Sequence, residues 1–321
     1  MPIDIEQALG PVIHDDGIWF DMPNEEYHAD PALGSSGIKH LIMSPLTYWT
    51  NSDMNPDRAP EKETAATKFG DLMHRTLFNP AGAVVSVKPE GMSFATKEGK
   101  AWKADRLEDG TEIITADEAR SLSTIKRAAD AAGITEQVRD GATEVSYFFT
   151  VNGVRCKIRL DYMAPTMAFD LKTYANTMDK DVETAVAHAV AARRYHVSGV
   201  WYNEGIKHMR AAIENKTVKT FSRPNTFDME IMSRISSADE YPLWFLFMDK
   251  GVPNVTVRQF TPKTSGEINS YYRAGRAEIE RAVSSYVDHM EEFGANIWMR
   301  PVPWKRFDDV EFGAARWILD E

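Results

Sequence analysis

Apolar and polar residues alternate strictly from Val154 to Tyr162, and the run before it, Val145 to Val151, is dense in aromatic and β-branched side chains. Asn152-Gly153 lies between them, the dipeptide that most readily closes a two-residue hairpin, so the stretch predicts two antiparallel strands. A third strand is predicted from about Met167 to Thr173, after a turn at Ala164-Pro165. Tyr241 to Met248 and Val255 to Phe260 predict two more, joined through Gly251 and Pro253. Helical spacing dominates elsewhere. Ile38, Leu41 and Ile42 follow Ser35-Ser36-Gly37 and predict a helix that Ser44-Pro45 interrupts. Phe69, Leu72, Met73, Thr76 and Leu77 mark another, from about Ala65 to Phe78, which Asn79-Pro80 ends. Thr115-Ala116-Asp117-Glu118 resembles a helix start, and that helix runs to near Gly133. The period returns over 181–214 and from about Ser265 to Phe293. The first 30 residues, with a turn at Asp15-Asp16-Gly17, read as an irregular or short-stranded arm, and 51–63 as an exposed connection. Residues 80–115 are Gly-rich and mixed, and are expected to be irregular. These elements predict an α/β (α+β) chain: a mixed central β-sheet flanked by helices, in one domain over residues 1–321, with 240–321 packing on the core.

Composition narrows the class. Hydrophobic residues make up 43% and charged residues 26% of the 321, the mix of a soluble globular chain. No apolar run approaches the roughly 18 residues of a membrane span, and the N-terminus has neither the basic stretch nor the apolar core of a secretory leader. Cys156 is the one cysteine, which fits a reducing cytoplasm and rules out a four-thiolate zinc or iron–sulfur site within one chain. The 48 acids exceed the 37 bases, for a formal charge of -11. Such an excess argues against a protein that coats nucleic acid, but leaves room for a short basic track.

Chemistry concentrates on two strands. Arg155, Lys157, Arg159 and Asp161 share one face of theirs, opposite Val154, Cys156, Ile158 and Leu160. Asp170 and Lys172, two apart, project to one side of the next. Adjacent strands would gather two carboxylates and an ammonium into one cleft, a grouping suited to metal-assisted phosphodiester hydrolysis. The alternative is that both acids end their strands and pair with neighbouring bases. Arg193, Arg194, Lys207 and Arg210 have spacings of one helical face, either solvated or a phosphate track. Ser35-Ser36-Gly37 either caps its own helix or offers backbone N–H groups and hydroxyls to a terminal phosphate.

The order of these motifs resembles the PD-(D/E)XK nuclease superfamily, and in particular the exonuclease domain of RecE (exodeoxyribonuclease VIII) and its phage and prophage relatives. The resemblance rests on Asp161, Asp170-Leu171-Lys172 and the stretch Arg194 to Tyr202, with Gly70-Asp71-Leu72-Met73-His74, Ser35-Ser36-Gly37, Ser44-Pro45 and Gly99-x-x-Trp102 upstream. It spans about residues 20–210. It implies Asp161, Asp170, the Leu171 carbonyl and His74 as metal ligands, Lys172 as catalytic lysine, and Glu144 as an additional catalytic acid. Leu160 stands where the name-giving motif has proline, and Ser198, four before Tyr202, where a glutamine is usual. DNA contacts are expected from Ser35, Ser36, Arg193, Arg194, Tyr195, His196, Ser198 and Tyr202. The implied activity is a Mg²⁺-dependent exodeoxyribonuclease, with Mn²⁺ able to substitute, that degrades linear duplex DNA 5′→3′. An endonuclease or phage DNA-processing enzyme of the same fold and a catalytically idle scaffold are the alternatives. Further expectations are a phage- or prophage-encoded protein in a bacterial cytoplasm, a RecT-like annealing partner, and a ring of three or four subunits that gathers its basic faces inward.

Overall fold

The computed structural model describes residues 12–59, 64–79, 83–221, 229–238, 240–252, 255–264 and 266–301. The N-terminal third contains β1 (Gly17–Trp19), α1 (Asn24–Ala29), α2 (Ser35–Met43), α3 (Pro45–Asn51), α4 (Ala65–Phe78), β2 (Val85–Val87) and α5 (Lys97–Glu108). The middle contains β3 (Glu112–Ile114), α6 (Ala116–Ala131), α7 (Ile134–Gln137), β4 (Ala142–Val151), β5 (Val154–Met163) and β6 (Ala168–Tyr174). Then follow α8 (Val182–Ala192), α9 (Tyr195–Glu214), β7 (Thr220–Phe221), α10 (Met229–Ser237), β8 (Leu243–Asp249), β9 (Val255–Phe260), β10 (Lys263–Thr264), β11 (Glu267–Ile268) and α11 (Ser270–Phe293).

Local chemistry sets many of these boundaries. Asn152 and Gly153 both take the left-handed conformation, with φ of 50° and 80°, and close the β4–β5 hairpin. Thr115 and Glu118 form a reciprocal capping box at the start of α6. Ser44 ends α2 and its hydroxyl accepts from the Thr47 N–H to start α3, with Pro45 in the first turn. Arg194, at φ 49°, breaks the expected 181–214 helix into α8 and α9.

Seven strands form the main sheet, in the order β7-β1-β4-β5-β6-β8-β9. It is mixed, because β6 runs parallel to β8 while β4–β5, β5–β6 and β8–β9 are antiparallel. One face carries Ile158, Leu160 and Phe245 into a core with Val197, Val200 and Trp201 of α9 and Tyr272 of α11. On the other face, Leu72, Met73 and Leu77 of α4 and Ile125 of α6 cover Phe169, Leu246 and Met248. Beside them, Met22 and Tyr27 of the N-terminal arm cover Phe148. Trp298, beyond α11, is buried against Tyr48 and Tyr286. Among the described residues, no helix is long and apolar enough to cross a membrane.

The expectation for residues 80–115 is corrected. Residues 80–115 are not irregular throughout: β2 and β3 pair in parallel, and α5 lies between them in sequence. Only Gly99 of α5 is fully buried, so charged residues surround the helix and no apolar stripe betrays it. The basic face of β5 is covered by the N-terminal arm. Lys157 gives its ammonium to the carbonyls of Tyr27 and Asp30, at 2.7 and 2.6 Å. Arg155 pairs with the Asp30 carboxylate at 3.1 Å, and Arg159 donates to the Met22 carbonyl at 2.9 Å. The arm thus takes up the charges of this face. Pro253, and the tail beyond residue 301, lie outside the described residues.

Glycine lets α9 lie close on the sheet. A Cβ at Gly199 would stand 2.6 Å from the ring of Phe260. Gly199→Ala should therefore destabilise the protein by about 1–3 kcal/mol, although alanine favours helix. Urea unfolding measures this, and a variant more stable than wild type would contradict the packing.

Candidate active site

The β4–β5 ladder opposes residues from Ala142–Met163 to Val151–Val154 and omits one pair, Glu144 and Asp161. Glu144 sits there at φ 53°, a left-handed conformation that a non-glycine residue rarely holds within a strand. The faces exchange across this break. Ile158 and Leu160 point into the α9 core, whereas Tyr162 points to the α4 side. A second irregularity adjoins the first. Strands β5 and β6 pair only at Tyr162–Phe169 and Met163–Ala168, and then part. Asp161 on one arm of this fork and Asp170 on the other flank the opening.

His74, from α4, bridges the acids: its Nδ1 lies 3.3 Å from Glu144 Oε1 and its Nε2 3.5 Å from Asp161 Oδ1. The Leu171 N–H donates to Asp161 Oδ2 at 2.6 Å. Asp170 is 1% exposed and its Oδ2 contacts the Lys172 ammonium. That ammonium lies 5.3, 5.7 and 5.7 Å from the ring centres of Tyr195, Tyr202 and Phe245. Glu144 also pairs with Arg159 at 3.1 Å. The fork thus brings together Glu144, Asp161, Asp170, Leu171, Lys172 and His74. Leu171 joins this cluster through its N–H, whereas the family resemblance points to its carbonyl.

Charge and burial set the protonation states. Burial drives the His74 imidazole down, but Asp161, Glu144 and Asp71 outweigh it and lift its pKa to about 9. Burial pushes Asp161 up, yet His74, Lys172 and the Leu171 N–H hold it below the usual carboxylate range. Burial raises Asp170 to about 7, reinforced by Asp161 and opposed by Lys172 and Lys39. Lys172 stays above the ordinary lysine value, because Asp170 and Asp161 overcome its burial. Burial raises Glu144 as well, against the pull of His74 and Arg159. Two protonated bases, His74 and Lys172, therefore offset part of the charge of the three acids.

The donor set suits a hard divalent cation: three carboxylates, with one imidazole beside them. His74 Nε2 and Asp170 Oδ2 are buried and make no well-formed hydrogen bond, which leaves two donors to be satisfied. Among the described residues, no three His, Cys, Asp or Glu side chains are gathered closely enough to grip an ion without rearrangement. Asp161, Asp170 and Glu144 would hold such a cation, and because His74 is protonated between two of them, metal binding there would be coupled to loss of a proton.

The expected DNA contacts divide. Ser35 donates its hydroxyl to Ser198 at 2.9 Å and both are buried, a bond between α2 and α9. Gly34 is the N-cap of α2 and no side chain caps it, so neither serine serves as the helix cap. Ser36 is exposed and, with Gly34, His74, Glu144, Asp161 and Tyr202, lines an open cleft of about 1400 Å³. Arg194 and His196 turn to Glu278 of α11, at 2.6 and 3.5 Å, and bind the two helices together. Tyr195 stays beside Lys172, and Arg193 is exposed at the C-cap of α8. Sequence reasoning missed Lys39, whose ammonium lies 5.4 Å from the Tyr195 ring centre. Its position one turn beyond Ser35 and Ser36 was an available signal.

A family model and a solved structure are similar to the chain. A family model described as "PDDEXK-like domain of unknown function (DUF3799)" matches residues 34–231, which include every candidate residue from Ser35 to Tyr202. A solved structure from Eubacterium rectale, named a "putative exonuclease", is similar with a TM-score of 0.48 and 14% identity, over 84% of this chain and 88% of that one. No curated protein matches the chain.

The His74 bridge predicts a pH dependence in metal-free protein. Its folded pKa, about 9, lies above the ordinary value of 6.5. Its stabilising contribution is therefore full below about pH 6.5 and is lost as pH rises through about 9. Urea titrations in EDTA should show wild type losing more stability over this window than His74→Ala; parallel curves would refute the bridge.

Proposed function

The chain belongs to the family of PDDEXK-like domains, whose fold is that of nucleases, and from that membership and the fork between β5 and β6 we propose that it is a divalent-metal-dependent deoxyribonuclease. The observation that carries the proposal is the meeting of Asp161, Asp170 and Lys172 where β5 and β6 part. The resemblance of the motif order to RecE-like enzymes supports the finer reading, an exonuclease that degrades linear duplex DNA 5′→3′ and exposes single strands for recombination.

Asp161, Asp170 and Glu144, with His74 beside them, would hold Mg²⁺ or Mn²⁺, which when bound polarises a phosphoryl oxygen and acidifies water. The protein's own groups do the positioning. The Leu171 N–H fixes one oxygen of Asp161 and turns the other toward His74. Lys172 remains protonated, so its part is to stabilise charge on the phosphate rather than to remove a proton. Tyr195, Tyr202 and Phe245 surround its ammonium and limit water there, which strengthens its field.

The sequence charge of -11 supports an assembly that gathers basic faces around DNA, a closed ring of three or four subunits, with a RecT-like annealing protein as recipient of the strand. Light scattering at micromolar concentration should report that oligomer; a fully active monomer would exclude it.

Cleavage itself is tested with end-labelled linear duplex, with and without Mg²⁺. Wild type should release nucleotides only with the metal. Asp161→Ala, Asp170→Ala and Lys172→Ala should each lower the rate by at least about a hundredfold, while still unfolding cooperatively. Opening of covalently closed circles would assign an endonuclease instead, and wild-type rates in the variants would remove the site.

A further inference from the structure

Among the described residues, Lys39 and Arg193 are cations with no ion-pair partner. Lys39 and Lys172 approach the same ring, Tyr195, at 5.4 and 5.3 Å from its centre. Arg193 precedes Tyr195 by two residues, where α8 ends. Neighbouring bases are all engaged: Lys172 by Asp170, Arg159 by Glu144, Arg194 by Glu278 and Lys157 by two carbonyls. Among the described residues, no carboxylate pairs with Lys39 or Arg193.

The imbalance is a standing cost. Burial presses on the Lys39 charge first, and repulsion from Lys172 and Arg193 adds to it. Asp170 alone opposes them, and it already serves Lys172. Packing of the lysine stem on Tyr195 does not require the charge. An anion beside the ammonium would relieve both penalties at once.

We propose that Lys39 and Arg193 form a subsite for a backbone phosphate of the nucleic-acid strand, next to the scissile phosphate on the Tyr195 side of the reaction centre. This rests on the nuclease reading of the fork. Lys39, on α2, and Lys172, on β6, converge on the Tyr195 ring from two different elements. Lys39 is therefore a neighbour of the catalytic lysine, and a strand bound at Lys172 would bring an adjoining phosphate within its reach. Arg193, exposed at the C-cap of α8 two residues before Tyr195, adds a second positive charge beside that ring.

The experiment is a salt titration of binding. A fluorescent linear DNA duplex is titrated in EDTA with wild type, Lys39→Met, Arg193→Met and Lys39→Arg, each checked for cooperative unfolding. Methionine keeps a long stem against Tyr195 and removes the charge. Each methionine variant should lower the slope of log affinity against log salt by about 0.9, the value for one lost phosphate contact, and Lys39→Arg should restore it. An unchanged slope in folded Lys39→Met overturns the subsite, as does a loss that arginine fails to restore. Cleavage by wild type with Mg²⁺ scores the nuclease reading separately. Cleavage with an unchanged slope keeps the nuclease and removes the subsite. A lowered slope without cleavage keeps the anion subsite and removes the nuclease, and absence of DNA binding removes both.

Discussion

Everything at the candidate site depends on one missing rung in the β4–β5 ladder. Regular alternation would send Asp161 to the face that carries Arg155, Lys157 and Arg159, beneath the N-terminal arm. The break at Glu144–Asp161, with Glu144 held left-handed, removes both residues from that rule. Such a conformation costs about 1–2 kcal/mol for a non-glycine residue and persists only where its surroundings enforce it. Here Arg159 and His74 hold the Glu144 carboxylate from two sides, and the Leu171 N–H holds Asp161. The parting of β5 from β6 then leaves that N–H free of a β5 carbonyl and able to serve a carboxylate instead.

The hairpin, the helix bearing His74 and the Asp170-Leu171-Lys172 strand were legible because each rests on local pattern. Asn152-Gly153 specifies its turn by backbone conformation alone, and the apolar positions of α4 recur at helical spacing. Helix α5 was illegible for the complementary reason: charged residues surround it, so periodicity has nothing to register. The very short strands β1, β2, β3 and β7 do not fill one alternating window. What covers the basic face of β5 could not be read either, since its partners lie more than a hundred residues away, at Met22, Tyr27 and Asp30. The pattern places Lys157 correctly on a polar face but does not say that the face is buried.

The same distance effect separates residues within the site. Asp161, Asp170 and Lys172 lie within twelve residues of one another on consecutive strands, so their proximity was legible even though the break that aims Asp161 was not. Ser35 and Ser198 are 163 residues apart, and only the packing of α2 against α9 turns their hydroxyls toward each other. Arg194 and His196 occupy a helix start that suits phosphate binding, yet Glu278 of α11 engages both. A basic residue in a favourable sequence position is thus available to a ligand only if no distant acid has claimed it.

That rule bears on the acidic balance of the chain. Most bases near the cleft perform structural work: Arg155, Lys157 and Arg159 fasten the arm to the sheet, and Arg194 joins α9 to α11. His74 and Lys172 act as internal counter-ions for Glu144, Asp161 and Asp170. A chain of charge -11 that works on a polyanion cannot rely on a broad field of attraction. It can use instead a few cations left unpaired near the reaction centre, and partial burial makes Lys39 count for more than a charge in water. Lys39 and Arg193 meet that description because the fold leaves them unmatched, and an acid introduced within reach of either would silence it as Glu278 silences Arg194.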